Sequence, residues 1–320
     1  MKYCKRFSFF AAGMLLAILL ASCDSVPAMA QVSETPAETP VPTQTVPPPP
    51  SIPSTPTPTP APRRFAEKFS DTETVSFKKF PFKYSDNDLC IEVSRVYGYF
   101  MAEIWMSEGN IPYSGFAHKS PPGNRTQAPS KMAQEYGAVL AITGDFISRK
   151  GNPKGAMIRE GIPMYDENRG DTMAIMPDGE LRGYYKGTVK TQELMDLDVQ
   201  DSYTFGPIII YNGKVNELIK KHPLRPDNLR TAIGMVEPGH YIVIIATLKI
   251  TLDKLADILL KKDVSFAYNL DGGHSSALVF MGKQLNSHRF IEDWGYGQRN
   301  LPDMLMFGYS DTVLDMNEGK

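Results

Sequence analysis

A proline- and threonine-rich stretch from about Ser25 to Pro62 cannot form a hydrophobic core, so only the chain that follows it can fold into a domain. Half of the 26 prolines lie in it, and large apolar residues are almost absent. Such segments adopt extended, solvated polyproline-like conformations. We therefore expect a disordered linker over residues 23–64. One folded domain is expected over residues 65–320, which is long enough to bury an ordinary core.

The N-terminus has the pattern of a secretory signal peptide. Positive charges at residues 2–6 precede an apolar run over 7–20, which is short for a membrane span and fits the hydrophobic region of a signal. The run ends in Leu20-Ala21-Ser22-Cys23, which resembles the lipobox of bacterial lipoproteins. We predict a signal peptide over 1–22 and a lipidated Cys23 that anchors the protein on the extracytoplasmic side of the bacterial cell membrane. The alternative is an ordinary signal peptide that is cut a few residues later.

Cysteine usage, charge and motif content exclude several classes of protein. If Cys23 carries lipid, only Cys90 remains after the signal, so no internal disulfide is expected. The apolar neighbours of Cys90 indicate a small buried hydrophobic residue. The net charge is −2 and no basic stripe is present, so no nucleic-acid partner is predicted. No metal-ligand spacing and no nucleotide-binding glycine fingerprint occurs, so no cofactor or metal is predicted.

Short apolar segments bounded by turn residues predict a domain rich in β-strands. Asn212-Gly213 is the strongest hairpin signal, and Thr251 is placed to cap a helix over the following apolar residues. Strands are predicted within residues 91–106, 138–143, 173–184, 208–215, 241–246, 266–270 and 277–281, with weaker helices at 131–136 and 192–197. The predicted fold class is α+β, a single domain of mixed β-sheets with a few flanking helices.

The most informative motif is Asn269-Leu270-Asp271-Gly272-Gly273-His274-Ser275-Ser276. A carboxylate leaves the end of an apolar strand, two glycines permit close backbone approach, and polar side chains follow. Glycines in such a loop can present backbone N–H groups to an anion. The same letters also fit a hairpin loop whose Asp and Ser side chains only satisfy the turn.

Three further segments accompany that motif along the chain: Thr143-Gly144-Asp145-Phe146-Ile147, Gly206 to Lys214, and Arg230-Thr231-Ala232-Ile233-Gly234. Together the four segments, in their order along the chain, resemble the phosphodiester glycosidase family over about residues 95–310. The resemblance implies an enzyme that hydrolyses sugar-1-phosphodiester linkages.

Two departures from the family pattern affect the site. Thr143 and Asp145 stand where the family usually has asparagine and glycine, which rearranges the polar groups of that segment. His274 stands in place of a third glycine, where it adds a donor or narrows the pocket.

The resemblance, together with the chemistry of the reaction, implies roles for individual residues. Asp271 is the predicted nucleophile or general base, with Asp145 as its partner carboxylate. Arg230 is a predicted phosphate clamp, because a guanidinium donates two parallel hydrogen bonds. The remaining predicted substrate-binding residues are Asn269, Gly272, Gly273, His274, Ser275 and Arg299.

These features favour an extracytoplasmic glycosidase whose substrate is a phosphodiester-linked glycan of envelope polymers or cell surfaces. A second hypothesis is a non-catalytic envelope lipoprotein that binds anionic glycan in the same cleft. A third is a metal-dependent phosphodiesterase that cuts the P–O bond.

Overall fold

Strands dominate the computed structural model, which describes residues 63–120, 125–146, 155–167, 169–286 and 298–318. The predicted signal peptide, Cys23 and almost all of the predicted linker lie outside the described residues. The strands are β1 Thr74–Ser76, β2 Phe82–Ser85, β3 Leu89–Val96, β4 Tyr99–Met106, β5 Tyr113–Phe116, β6 Ala138–Thr143, β7 Met157–Arg159, β8 Ile162–Tyr165, β9 Thr172–Ile175, β10 Leu181–Tyr184, β11 Asp201–Thr204, β12 Ile208–Tyr211, β13 Lys214–Val215, β14 Thr231–Glu237, β15 His240–Ala246, β16 Phe266–Leu270, β17 Leu278–Phe280, β18 Lys283–Gln284 and β19 Asp303–Tyr309.

Few helices accompany these strands. The α-helices of the described residues are α1 Pro129–Glu135, α2 Thr191–Met195, α3 Leu252–Leu260 and α4 Asp311–Glu318. No helix in the described ranges is long and apolar enough to cross a membrane. The described domain is therefore mostly β-sheet with a few helices, which agrees with the α+β prediction.

The strands form one large sheet and three smaller ones. The nine-stranded sheet has the order β1-β2-β3-β4-β15-β14-β16-β12-β13, and the five-stranded sheet has the order β18-β17-β6-β19-β5. A three-stranded sheet, β10-β9-β11, and the β7-β8 hairpin complete the described set.

The prediction of mixed sheets was wrong, because every strand pair in the described residues is antiparallel. Helix α3 does make a crossover from β15 to β16, the type of connection that parallel strands need. However, β14 lies between these two strands and pairs antiparallel with both of them. The crossover therefore leaves β15 and β16 parallel in direction without making them neighbours.

The alternation of side chains along the strands explains the layers. In β15, Tyr241, Val243 and Ile245 enter the main core between the nine-stranded and five-stranded sheets, which we call the two large sheets. Ile242 and Ile244 pack with α3 on the other face. In β19, Leu305 and Phe307 enter the same main core, whereas Met304 and Met306 cluster with apolar residues of α1. Both large sheets are thus covered on two faces, which explains why many of their strands are apolar throughout.

Several local predictions are confirmed. The strands at 138–143 and 266–270 have the predicted bounds. Asn212 and Gly213 have φ angles of 50° and 69°, which the predicted hairpin turn requires. The Thr251 hydroxyl accepts a hydrogen bond from the Lys254 amide at 3.2 Å and caps α3.

Candidate active site

Asp271 follows the last residue of β16, a central strand of the nine-stranded sheet. Asp271 is half-buried, and its carboxylate Oδ1 accepts a hydrogen bond from the Gly272 amide at 2.9 Å. A single 3-10 turn, Gly273–Ser275, then reverses the chain toward β17. The loop after β16 therefore holds a carboxylate at the C-terminal end of this strand.

The two glycines allow this loop to lie against the neighbouring strand. A Cβ on Gly272 would stand 2.5 Å from the carbonyl oxygen of Leu229, and Gly273 has a φ of +60°. The Gly273 amide donates to the Leu229 oxygen at 2.9 Å. The predicted close backbone approach is thus present, but both glycine amides bind protein oxygens in this structure.

Thr143 supports the loop from the five-stranded sheet. Its hydroxyl donates to the carbonyl oxygen of Ser275 at 2.6 Å and accepts from the Ala277 amide at 2.8 Å. Ser275 is buried, and the buried Ser276 hydroxyl accepts from Thr231 in β14 at 3.1 Å. The loop is therefore fastened to both large sheets.

Asn269 joins the site to the segment that begins at Gly206. Its Nδ2 donates to the Gly206 carbonyl at 2.8 Å, and its backbone amide donates to Pro207 at 3.1 Å. The Asn269 residue is fully buried, and its Oδ1 has no hydrogen-bond partner among the described residues. An acceptor oxygen of this kind is unusual in a protein interior.

Arg299 lies close to His274 through backbone contacts. The carbonyl oxygen of His274 accepts from the Arg299 amide at 3.2 Å and from the Gln298 side chain at 3.2 Å. Arg299 is exposed, so its guanidinium is open to solvent and to an anionic ligand. Residues 287–297, which lead into it, lie outside the described residues.

Arg230 reaches the site with its backbone rather than its guanidinium. The register pairs Thr231 with Leu270, which places the Arg230 main chain beside Asp271. The buried guanidinium donates to the carbonyl oxygens of Leu224 and Pro226, and burial lowers its pKa. In this structure the guanidinium secures a loop, and its role as a phosphate clamp stays a prediction.

Asp145 is buried beneath the site and faces Arg159. Its Oδ2 accepts from Arg159 Nη2 at 3.2 Å, and its Oδ1 accepts from the Thr204 amide at 2.9 Å. The same Nη2 binds Asp303 Oδ2 at 2.9 Å, and Asp303 Oδ1 accepts from the Asp145 amide at 3.0 Å. In this structure the Asp145 carboxylate is turned toward the Arg159 guanidinium inside the protein. Its pairing with Asp271 stays a prediction.

More than one carboxylate surrounds that cation. We call Arg159, Asp145, Asp201 and Asp303 the Arg159 cluster; Asp201 Oδ1 lies 3.9 Å from Arg159 Nε. All four side chains are at most 3% exposed. Burial raises the pKa of Asp145 to about 7 and that of Asp201 to about 6, although the Arg159 charge lowers both.

Sequence reasoning missed this cluster. Its strongest signal is Arg159 itself, a charged residue directly after the apolar run Ala156-Met157-Ile158. A buried arginine requires carboxylate partners, but nothing in the sequence says which ones. In the described residues no group of three or more His, Cys, Asp or Glu side chains is arranged to hold a metal ion.

The fold and the loop after β16 define the class of protein. The model of the phosphodiester glycosidase family matches residues 136–308, which is more than half of the chain. This range contains β6, the Arg159 cluster, the Asp271 loop and almost all of β19. The chain belongs to the phosphodiester glycosidase family.

Individual relatives are distant. The solved catalytic domain of zebrafish N-acetylglucosamine-1-phosphodiester alpha-N-acetylglucosaminidase, auto-inhibited by its pro-peptide, is similar with a TM-score of 0.53 and 15% identity over 75% of this chain and 83% of that one. A hypothetical protein from Synechocystis gives a TM-score of 0.50 and 13% identity, covering 73% of this chain and 67% of that chain. These likenesses show a shared fold.

A curated relative is closer in sequence. The SPbeta prophage-derived uncharacterized protein YomE of Bacillus subtilis (strain 168) is 25% identical over 203 residues, which are 58% of this chain. The match spans only 30% of the length of that relative.

Proposed function

We propose that the protein is an extracytoplasmic glycosidase that hydrolyses sugar-1-phosphodiester linkages in envelope polymers or surface glycans. Family membership supports the reaction class. The observation that carries the proposal is the half-buried Asp271 carboxylate at the end of β16, oriented by the Gly272 amide. A carboxylate is the group that attack on a sugar carbon needs.

The reaction breaks the bond between the anomeric carbon and the phosphodiester oxygen. The bonding electrons leave with the phosphate, whose low basicity makes a strong general acid unnecessary. Asp271 supplies negative charge to the oxocarbenium-like centre, either as nucleophile or as the base that activates water. We assign the departing phosphate to the exposed Arg299 rather than to Arg230, since the Arg230 guanidinium binds backbone carbonyls.

One observation favours a second candidate function, the binding of anionic glycan without cleavage. Asp145, the predicted partner carboxylate, is fully buried and paired with Arg159. Asp145 is therefore held by Arg159 inside the protein rather than open to a substrate. A glycosidase in this arrangement relies on Asp271 and on the easy departure of phosphate, whereas a binding module needs neither.

Cleavage in ¹⁸O-labelled water distinguishes the candidates. The mature protein is incubated with a panel of sugar-1-phosphodiesters, and products are followed by ³¹P NMR and mass spectrometry. We expect the label on the released sugar, because C–O cleavage brings water to the anomeric carbon. A metal-dependent phosphodiesterase would instead put the ¹⁸O label on the phosphate product, and a chelator would stop this labelling. Binding without any product would favour the glycan-binding module.

The lipid anchor is inferred from the N-terminal sequence, and Cys23→Ser tests it. Lipid is attached through the cysteine thiol, so the variant is expected to lose both membrane fractionation and labelling by a fatty-acid probe. Cys90→Ser is the matched control and should keep both. Full labelling of the Cys23 variant would contradict the lipobox prediction.

A further inference from the structure

Arg159 connects the ends of strands that surround the candidate active site. Its Nη2 holds Asp145, two residues beyond the end of β6, and Asp303, the first residue of β19. Its Nη1 donates to the carbonyl oxygens of Ile158 and of Ser202 in β11. One guanidinium thus fastens three strands that are far apart along the chain.

A first route leads from this guanidinium to the Asp271 loop through β6. Asp303 packs so closely on Gly144 that a Cβ there would lie 2.8 Å from its carboxylate. Gly144 is preceded by Thr143, whose hydroxyl binds Ser275 and Ala277 on the far side of the loop. Movement of the β6 end would therefore move the residues that follow Asp271.

A second route leads through β11. Asp145 Oδ1 accepts from the Thr204 amide, which fixes the end of that strand. Two residues later the Gly206 carbonyl accepts from Asn269, and the Phe205 amide donates to the Tyr268 hydroxyl at 2.8 Å. Tyr268 and Asn269 are in β16 and lead directly to Asp271.

We propose that Arg159 is a positioning residue for Asp271, acting through these two hydrogen-bonded routes. Its fork is suited to this task because one planar group binds two carboxylates in fixed directions. Three carboxylates around one arginine also make the arrangement costly to disturb, since any displaced carboxylate would be buried without a cation. The proposal concerns the same site as the proposed function, and its catalytic consequence rests on that function.

Arg159→Lys tests the proposal, because lysine keeps the charge and loses the fork. Backbone hydrogen exchange of the mature protein is measured by mass spectrometry on peptides that cover 204–208 and 269–277. We expect exchange at least about tenfold faster in both regions, with little change in the β3–β4 hairpin. If the proposed function holds, kcat should fall about 10- to 100-fold while KM stays within about threefold, because misplacement affects the reacting geometry more than binding.

Two further variants complete the experiment. Thr143→Val, which keeps shape and removes the hydroxyl, should accelerate exchange only at 272–277, and it remains informative if Arg159→Lys does not fold. Arg182→Lys changes an exposed arginine paired with Glu180 and should alter neither region. Exchange changes confined to 143–146, 157–160 and 303, or absent in both variants, would overturn the positioning role. A wild type that cleaves nothing would refute the proposed function and leave the exchange result decisive for Arg159.

Discussion

Asp271→Asn is expected to lower kcat by about 10²- to 10⁴-fold, the loss that follows removal of a nucleophile or general base. Asparagine has nearly the same size, and its Oδ1 can still accept from the Gly272 amide, so the loop should keep its conformation. Only the negative charge at the anomeric carbon is removed. The measurement is turnover of a sugar-1-phosphodiester, with substrate affinity determined separately by calorimetry.

Asp257→Asn provides the matched control, because Asp257 is exposed on α3. It should retain normal turnover and melting temperature. Near-normal turnover of a folded Asp271→Asn protein would refute the proposed mechanism, and attention would pass to Asp145. Equal glycan affinity of wild type and variant, with no turnover of either, would instead favour the binding module.

Arg159→Met is expected to lower the free energy of unfolding by about 3–5 kcal/mol, because it leaves buried carboxylates without their cation. Methionine fills most of the same space, so the loss reports the charge and the hydrogen bonds of the guanidinium rather than a cavity. Arg182→Met is the control. The Arg182–Glu180 pair is about one-third to two-fifths exposed, and its loss should cost no more than about 1 kcal/mol.

The stability loss in Arg159→Met should also depend on pH. The folded-state pKa values of Asp145, about 7, and Asp201, about 6, lie above the unfolded value of about 3.9. The folded protein therefore binds protons that the unfolded chain releases, and these groups make folding less favourable as pH rises from about 4 to about 7. Removing Arg159 raises both pKa values further and extends that decline to higher pH.

Urea unfolding at pH 5 and pH 7.5 measures this difference. The Arg159→Met deficit should be larger at pH 7.5, where more of the buried carboxylates are ionised. A deficit that is equal at the two pH values, or larger at pH 5, would mean that the cluster does not hold the charges assigned to it.

Local sequence patterns predicted the elements that carry the site. The β6 and β16 strands are mostly apolar runs that end at Gly144-Asp145 and at Asp271-Gly272, so their bounds follow from composition and turn chemistry. That some backbone group would approach Gly272 closely was likewise foreseeable from the two adjacent glycines, but that this group belongs to Leu229 was not. These features depend on neighbours in sequence.

Side-chain direction and distant pairing could not be predicted in the same way. The register brings the Arg230 main chain beside Asp271, but its guanidinium follows contacts with Leu224 and Pro226 that only the folded loop creates. Asp145 and Asp303 are 158 positions apart and meet only because β6 pairs with β19. Such encounters are fixed by strand register, which a single sequence does not specify.

The two edge strands of the nine-stranded sheet, β1 and β13, are very short. β1 has three residues, all exposed, and β13 has two, beginning with the exposed Lys214. Unpaired edges are templates on which further copies can add strands, and shortness or a lysine limits that addition. Crowding of this domain on a surface should therefore not lead to edge-to-edge polymerisation, and any self-association would have to use side chains rather than backbone hydrogen bonds at these two edges.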